Sequence, residues 1–316
     1  MKAITVESLG APEVLRLTEV EVPQPEAGNV LVKVEAIGIN FADVMMRTGS
    51  YPNGPAPGFI PGLEVAGTVA SGPRQGEAVM GFTWTGGYAE YAVVPEAMLF
   101  RIPPGLSKAE AAGFLVTHLT AYFALWMADL KPDERVLIHS AAGGVGTAAV
   151  QLARNMGAEI FATAGSEEKL ARLKALGAEH PINYRAGDFA DEVRRLTEGE
   201  GVDIVLESLG GGAFERDLEL LRPLGRMVVY GALTGETRPV DPGFLLARNI
   251  SVHGLYLGGL MGQPELVEQA LSEMQEYIRR GRLKVIIGGQ FPLAQAVEAH
   301  RQLESRGNFG KIVLIP

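Results

Sequence analysis

The sequence predicts an α/β fold: a doubly wound, six-stranded parallel sheet inserted in a discontinuous, barrel-like, mainly-β domain. Three observations predict it. At 135–154 the apolar run Val136-Leu-Ile138 breaks at Ala141-Ala-Gly-Gly-Val-Gly146, then resumes as a small, apolar helical pattern. Over 159–255 short apolar runs alternate with helical patterns, the grammar of a parallel sheet. Over 1–100 the pattern has period two, with proline and glycine punctuation, and the tail adds strands that have no sheet of their own.

Residues 2–6, 15–20 and 30–34 read as strands, followed by a helical segment at 38–47. A proline- and glycine-dense loop spans 49–62, and a loop of that length in a compact domain is usually functional. Strands return at 64–70, 78–82 and 88–94. Ser107 and Glu110 have capping-box spacing at the head of a helix, and a second helix is expected at 117–127. After the strand at 136–138, the parallel sheet takes 159–164, 180–184, 202–208, 226–230 and 250–255. The helices between are expected at 167–176, 189–196 and 214–221. The tail reads as helix 264–280, strand 285–291, helix 293–304 and strand 311–315. A tail that returns to the first sheet gives a catalytic domain in two parts, 1–113 and 256–316, around a nucleotide-binding domain at 114–255.

Composition narrows the function. The 316 residues, 47% hydrophobic, are enough for two cores and exclude disorder. No apolar run is long enough for a membrane span and no signal peptide is evident, so a cytoplasmic protein is expected. The absence of cysteine removes disulfides, thiolate nucleophiles and cysteine-based zinc sites. Five histidines, at 118, 139, 180, 253 and 300, form no metal-binding pair in sequence, so no metal is expected. A net charge of −9 argues against nucleic acid and anionic membranes as partners and leaves a small molecule.

The motif at 141–146 has the spacing of a dinucleotide fingerprint, with Ala141 in place of its first glycine. Gly143 allows close approach of backbone to a pyrophosphate, and Gly146 allows close packing of helix on strand. Ala142, Gly143, Gly144 and Val145 are therefore phosphate-binding candidates at a helix N-terminus. An NAD site usually carries Asp or Glu at the end of the next strand. Here that strand ends Thr163-Ala-Gly165-Ser166, and Ser166, Lys169 and Tyr184 are read as converging on the 2′-phosphate of NADPH. The alternative makes Ser166 a helix cap and Lys169 a solvated residue, with Glu167 and Glu168 diluting the positive charge.

The longer pattern is more specific. Asp133-Glu-x-x-Leu137-x-x-x-Ala141-Ala-Gly-Gly-x-Gly146-x-x-x-x-Gln151-x-x-Arg154 resembles the signature of the zinc-free quinone oxidoreductase (zeta-crystallin-like) branch of the medium-chain dehydrogenase/reductase superfamily. Asn40-Phe-x-Asp43, Tyr51-Pro52, Pro61-Gly-x-Glu64-x-Ala-Gly67, Thr120-Ala-Tyr122, Ile182-Asn-Tyr184 and Gly310-Lys311 extend the resemblance over essentially the whole chain. It implies a Rossmann domain inserted in a GroES-like catalytic domain, and direct hydride transfer from NADPH to a quinone. Zinc-dependent relatives have cysteine at Asn40 and histidine at Leu63, so the Lewis-acid route is not expected here.

The resemblance also implies roles. Asn40 and Tyr51 are the catalytic candidates, Asn40 orienting cofactor or substrate and Tyr51 binding or protonating the acceptor. Thr120 lies near the carboxamide, and Tyr230, Gly231 and Leu255 along the nicotinamide side, with Lys311 near the cleft; Gly165, Ser208 and Lys311 are further cofactor-binding candidates. A homodimer through 250–257 is expected. The simpler readings make Asn40 a loop residue, Tyr51 loop packing and Asp43 structural. The functional alternatives are an NADPH-dependent alkenal or enoyl reductase, and a non-catalytic NADPH-binding protein.

Overall fold

The computed structural model describes residues 1–316, which divide into two compact units: Met1–Thr117 with Val285–Pro316, and His118–Lys284. In the first, β1 (Lys2–Val6) pairs antiparallel with β2 (Leu15–Glu19). Then come β3 (Asn29–Ile39), α1 (Phe41–Thr48), β4 (Glu64–Val69), β5 (Ala78–Phe82), β6 (Tyr91–Pro95), β7 (Leu99–Arg101) and α2 (Lys108–Ala112). Ser107 caps α2 with the expected reciprocal bonds to Glu110.

Helix α3 (Leu115–Met127) leads into the second unit. There the chain alternates: β8 (Arg135–Ile138), α4 (Gly144–Asn155), β9 (Glu159–Ala164), α5 (Glu167–Leu176), β10 (His180–Asn183), α6 (Phe189–Leu196), β11 (Val202–Glu207), α7 (Gly212–Leu220) and β12 (Leu221–Val229). It continues through α8 (Pro242–Arg248), β13 (Ser251–Gly254), α9 (Leu257–Leu260) and α10 (Pro264–Arg279). Six parallel strands run in the order β10-β9-β8-β11-β12-β13, the doubly wound arrangement. Val136, Leu137, Ile138, Ile160, Phe161, Val205 and Leu206 are fully buried. Each contributes about 1.5–3 kcal/mol on leaving water, which is why these strands read as unbroken apolar runs.

The tail returns as β14 (Ile287–Pro292), α11 (Ala296–Glu304) and β15 (Lys311–Ile315). β15 pairs antiparallel with β3 and parallel with β14, giving a seven-stranded sheet. No helix is long and apolar enough to cross a membrane.

Four expectations need correction. The strand at 30–34 continues to Ile39, so Gly38 and Ile39 are not helical. A side chain at Gly38 would collide with the Ala112 carbonyl oxygen and the Glu64 carboxylate, and only a bare strand residue fits there. The strand expected at 88–94 begins at Tyr91 and ends at Pro95. Short elements β7, α8 and α9 had no counterpart in the sequence pattern. Residues 256–284, expected to belong with the returning tail, lie in the second unit instead. Polar side chains fasten them there: Tyr122 donates to Glu273, the Gln151 amide donates to the Lys284 carbonyl and accepts from its N–H, and Asn155 donates to the Arg282 carbonyl.

In the first unit a buried polar chain joins α1 to α11. Asp43 accepts from the Asn40 backbone N–H (2.8 Å), closing the N-terminus of α1, and from the Tyr88 hydroxyl (3.1 Å). Tyr88 also meets His300 Nε2 at 3.0 Å, while fully buried Arg47 donates to Glu304 at 2.7 Å. Burial pushes the Asp43 carboxyl up to about 7 from its ordinary 3.8. Burial, then Arg47, pushes His300 down to about 3 from 6.5.

The two groups act on stability with opposite signs. Folded Asp43 holds its proton more tightly than unfolded Asp43, so its share of stability falls as pH rises between 3.8 and about 7. The share of His300 rises with pH between about 3 and 6.5. Relative to an Asp43→Asn variant, the wild type is expected to lose melting temperature as pH climbs from 3.8 to about 7. Parallel melting-temperature profiles for the two proteins would contradict this.

Candidate functional site

The second unit builds its site on the turn between β8 and α4. Ser140, not Ala141, takes the left-handed conformation (φ 49°), which explains why no glycine is needed at position 141. Ala141 is fully buried, and its N–H donates to Thr163 O on β9 at 3.1 Å. A Cβ on Gly146 would strike Ala141 Cα and Ser140 O, so this glycine sets the closeness of helix to strand. Gly143 is the N-cap in extended conformation, and no side chain caps the first turn of α4. The N–H groups of Gly144, Val145 and Gly146 are left to an external acceptor, and the helix dipole favours an anion there.

Beneath the turn, His139 Nε2 meets Asp217 Oδ1 at 2.8 Å and Nδ1 meets Thr163 Oγ1 at 3.1 Å, with all three residues buried. Burial opposes charge on the ring, but the Asp217 and Glu207 carboxylates outweigh it and raise the His139 pKa. Glu207, at the end of β11, accepts the N–H groups of Leu209 (2.6 Å) and Gly210 (2.8 Å), which shapes the loop that begins with Ser208. Ser208 Oγ is buried without a well-formed hydrogen bond, although the Tyr230 phenol lies beside it and burial pushes that phenol up to about 12. Gly231 packs beside Ser208, whose carbonyl oxygen a Cβ there would touch at 3.4 Å, Leu255 N donates to Val229 O at 2.8 Å, and Thr120 is buried on α3.

At the end of β9 the structure brings Gly165, Ser166, Lys169 and Tyr184 together. A Cβ on Gly165 would lie 2.7 Å from the Tyr184 hydroxyl. Ser166 caps α5 by accepting from Lys169 N, so it is the expected cap as well as a cofactor candidate. Burial lowers the Lys169 pKa, and the neighbouring Arg185 and Arg172 lower it further. These three cations form a cluster, and Arg185 was not among the residues singled out from the sequence. Its signal was only adjacency to Tyr184. Of the two glutamates, Glu167 accepts from Asn183 at 2.6 Å, while Glu168, strongly exposed, pairs with Arg172 at 4.0 Å and offsets part of the positive charge felt by Lys169.

The first unit gathers Asn40 and Lys311, 271 residues apart in sequence, around Glu64. Lys311 Nζ donates to Asn40 Oδ1 at 2.5 Å and to Glu64 Oε1 at 2.7 Å. Asn40 Nδ2 donates to Glu64 Oε1 at 3.0 Å, and the other Glu64 oxygen accepts from Val116 N at 2.9 Å. All three residues are buried, so the amide of Asn40 is held inside the unit by its neighbours. Tyr51 lies half-buried in the loop after α1. Glu64 stood in the sequence only as part of a motif, and the partnership with Lys311 carries no local signal.

Two family models match the chain: the alcohol dehydrogenase GroES-like domain over residues 26–104 and the zinc-binding dehydrogenase model over 144–276. Zinc does not fit these residues. No group of three or more His, Cys, Asp or Glu side chains is assembled to hold a metal, and the Lys311 ammonium sits between Asn40 and Glu64. Human quinone oxidoreductase is 35% identical, with 100% of this chain and 98% of that protein covered. The rat synaptic vesicle membrane protein VAT-1 homolog is 37% identical over 93% of this chain and 78% of its own length. The quinone oxidoreductase of Thermus thermophilus, solved alone and in complex with NADPH, is 41% identical with a TM-score of 0.88 and full coverage of both chains. With glycine turn, six-stranded sheet and full-length identity in agreement, the chain belongs to the medium-chain dehydrogenase/reductase superfamily, in its quinone oxidoreductase branch.

Proposed function

We propose that the protein is an NADPH-dependent quinone oxidoreductase that works without a metal ion. The observation that carries the reading is the uncapped glycine turn at Gly143–Gly146 together with the cationic cluster of Lys169, Arg172 and Arg185. The NADPH complex of the Thermus relative supports the same cofactor here. Ala142, Gly143, Gly144 and Val145 would hold the pyrophosphate, and Gly165, Ser166, Lys169, Tyr184 and Arg185 the 2′-phosphorylated ribose. The nearly unpartnered Ser208 hydroxyl, with Thr120, Tyr230, Gly231 and Leu255, fits the nicotinamide end.

When bound, NADPH supplies a hydride, which a quinone accepts without Lewis-acid activation. The chain's own work is to hold and orient the two reactants and to exclude water. Asn40 serves the acceptor side, held by Glu64 and Lys311, and Tyr51 offers the hydroxyl that binds or protonates the reduced oxygen. A homodimer belongs to the same reading: β13 pairs only with β12 and leaves one edge of the sheet open to a second copy.

Purified protein is expected to oxidise NADPH with small benzoquinones or naphthoquinones faster than with α,β-unsaturated aldehydes or acyl thioesters. A preference for the unsaturated carbonyl compounds would move the assignment to an alkenal or enoyl reductase, and no turnover with any acceptor would favour a binding protein. Sedimentation is expected to show a dimer; a monomer at all accessible concentrations would reject the edge-strand contact.

A further inference from the structure

We propose that Glu64 and Lys311 are positioning residues: a buried ion pair whose task is to fix the orientation of the Asn40 amide. The inference rests on the reading that Asn40 serves the acceptor side.

The geometry leaves the amide one orientation. Its oxygen faces an ammonium at 2.5 Å, and its nitrogen donates to a carboxylate oxygen at 3.0 Å and, at the longer distance of 3.3 Å, to the Gly38 carbonyl. Rotating it by half a turn would set N–H against N–H and oxygen against carboxylate, so the surrounding charges select the rotamer. Glu64 is itself held, because its second oxygen accepts from Val116 N at 2.9 Å. The Glu64 and Lys311 side chains are 1% and 4% exposed.

Space for the pair is built into the backbone around it. A Cβ on Gly38 would collide with the Glu64 carboxylate, and one on Gly113 would lie 2.9 Å from Lys311 Cγ. A buried ion pair is rarely more stabilising than apolar residues of the same size, because both ions lose their hydration. Two glycines and a desolvated pair are therefore a poor device for stability. They make a good device for presenting a neutral amide in a single geometry, and small errors in such placement cost rate.

The test separates positioning from packing in the full-length protein. Lys311→Met leaves the Glu64 carboxylate buried without its cation, and both melting temperature and kcat are expected to fall. Adding Glu64→Gln removes that stranded charge. In the double variant the melting temperature is expected to recover toward wild type, while kcat with a quinone stays about tenfold or more below it and KM for NADPH is unchanged. Lys311→Arg, which keeps the charge and a donor, is expected to retain more of kcat than Lys311→Met. Recovery of kcat in step with melting temperature in the double variant would overturn the proposal.

A second readout does not depend on turnover. The Asn40 side-chain N–H protons, followed by NMR, are expected to exchange slowly in wild type and faster in the double variant. Equal exchange in both would also overturn it. If the wild type turns over no acceptor, the quinone assignment fails, and the amide exchange alone decides whether the pair positions Asn40.

Discussion

The turn between β8 and α4 leaves the first backbone N–H groups of the helix without a side-chain cap, and the packing around it keeps that turn tight. The left-handed Ser140 redirects the chain, buried Ala141 is tied to β9, and Gly146 lets α4 close on the strand. The turn stands at the end of β8, whose neighbours β9 and β11 lie on its two sides with helices crossing opposite faces. This is the point in a doubly wound sheet where the strand order reverses and a crevice opens. The buried His139–Asp217 pair sits directly under the turn, and Glu207 shapes the loop at the end of the adjoining strand. Charge is thus buried below the turn, while no side chain caps the turn itself.

The first unit meets a different constraint. Deep inside it, polar residues are locked into two buried groups, Asn40–Glu64–Lys311 and Asp43–Tyr88–His300. The backbone of Asn40 links them, since its N–H bonds Asp43 while its side chain bonds Glu64 and Lys311. β15 brings Lys311 alongside β3 by pairing Ile312 with Ile39. The returning tail therefore supplies a cation to the site as well as a strand to the sheet.

Much of this was legible in the sequence where a local rule applied. The apolar runs of β8, β9 and β11, the helical periods of α5 and α6, and the Ser107 capping box are set by neighbours within a few residues. Helices α8 and α9 are short and β7 has three residues, too few for a period to emerge. At Gly38 the pattern misled, because contact with Ala112 and Glu64 rather than local propensity keeps the residue in a strand. The site residues divide in the same way. The glycine turn and Lys169 announce themselves by spacing, whereas Arg185 depends on packing beside Lys169, and the Glu64–Lys311 pair joins residues 247 apart.

We propose that the second unit reads the 2′-phosphate of NADPH through Lys169 and Arg185 at the end of β9. Equilibrium titration of wild type and a Lys169→Ala/Arg185→Ala variant with NADPH and NADH tests it most directly. Two charge-assisted hydrogen bonds at about 1.5–3 kcal/mol each predict an NADPH affinity at least about a hundredfold weaker in the variant, with NADH affinity nearly unchanged. Equal losses for both nucleotides, or no loss for either, would contradict the account.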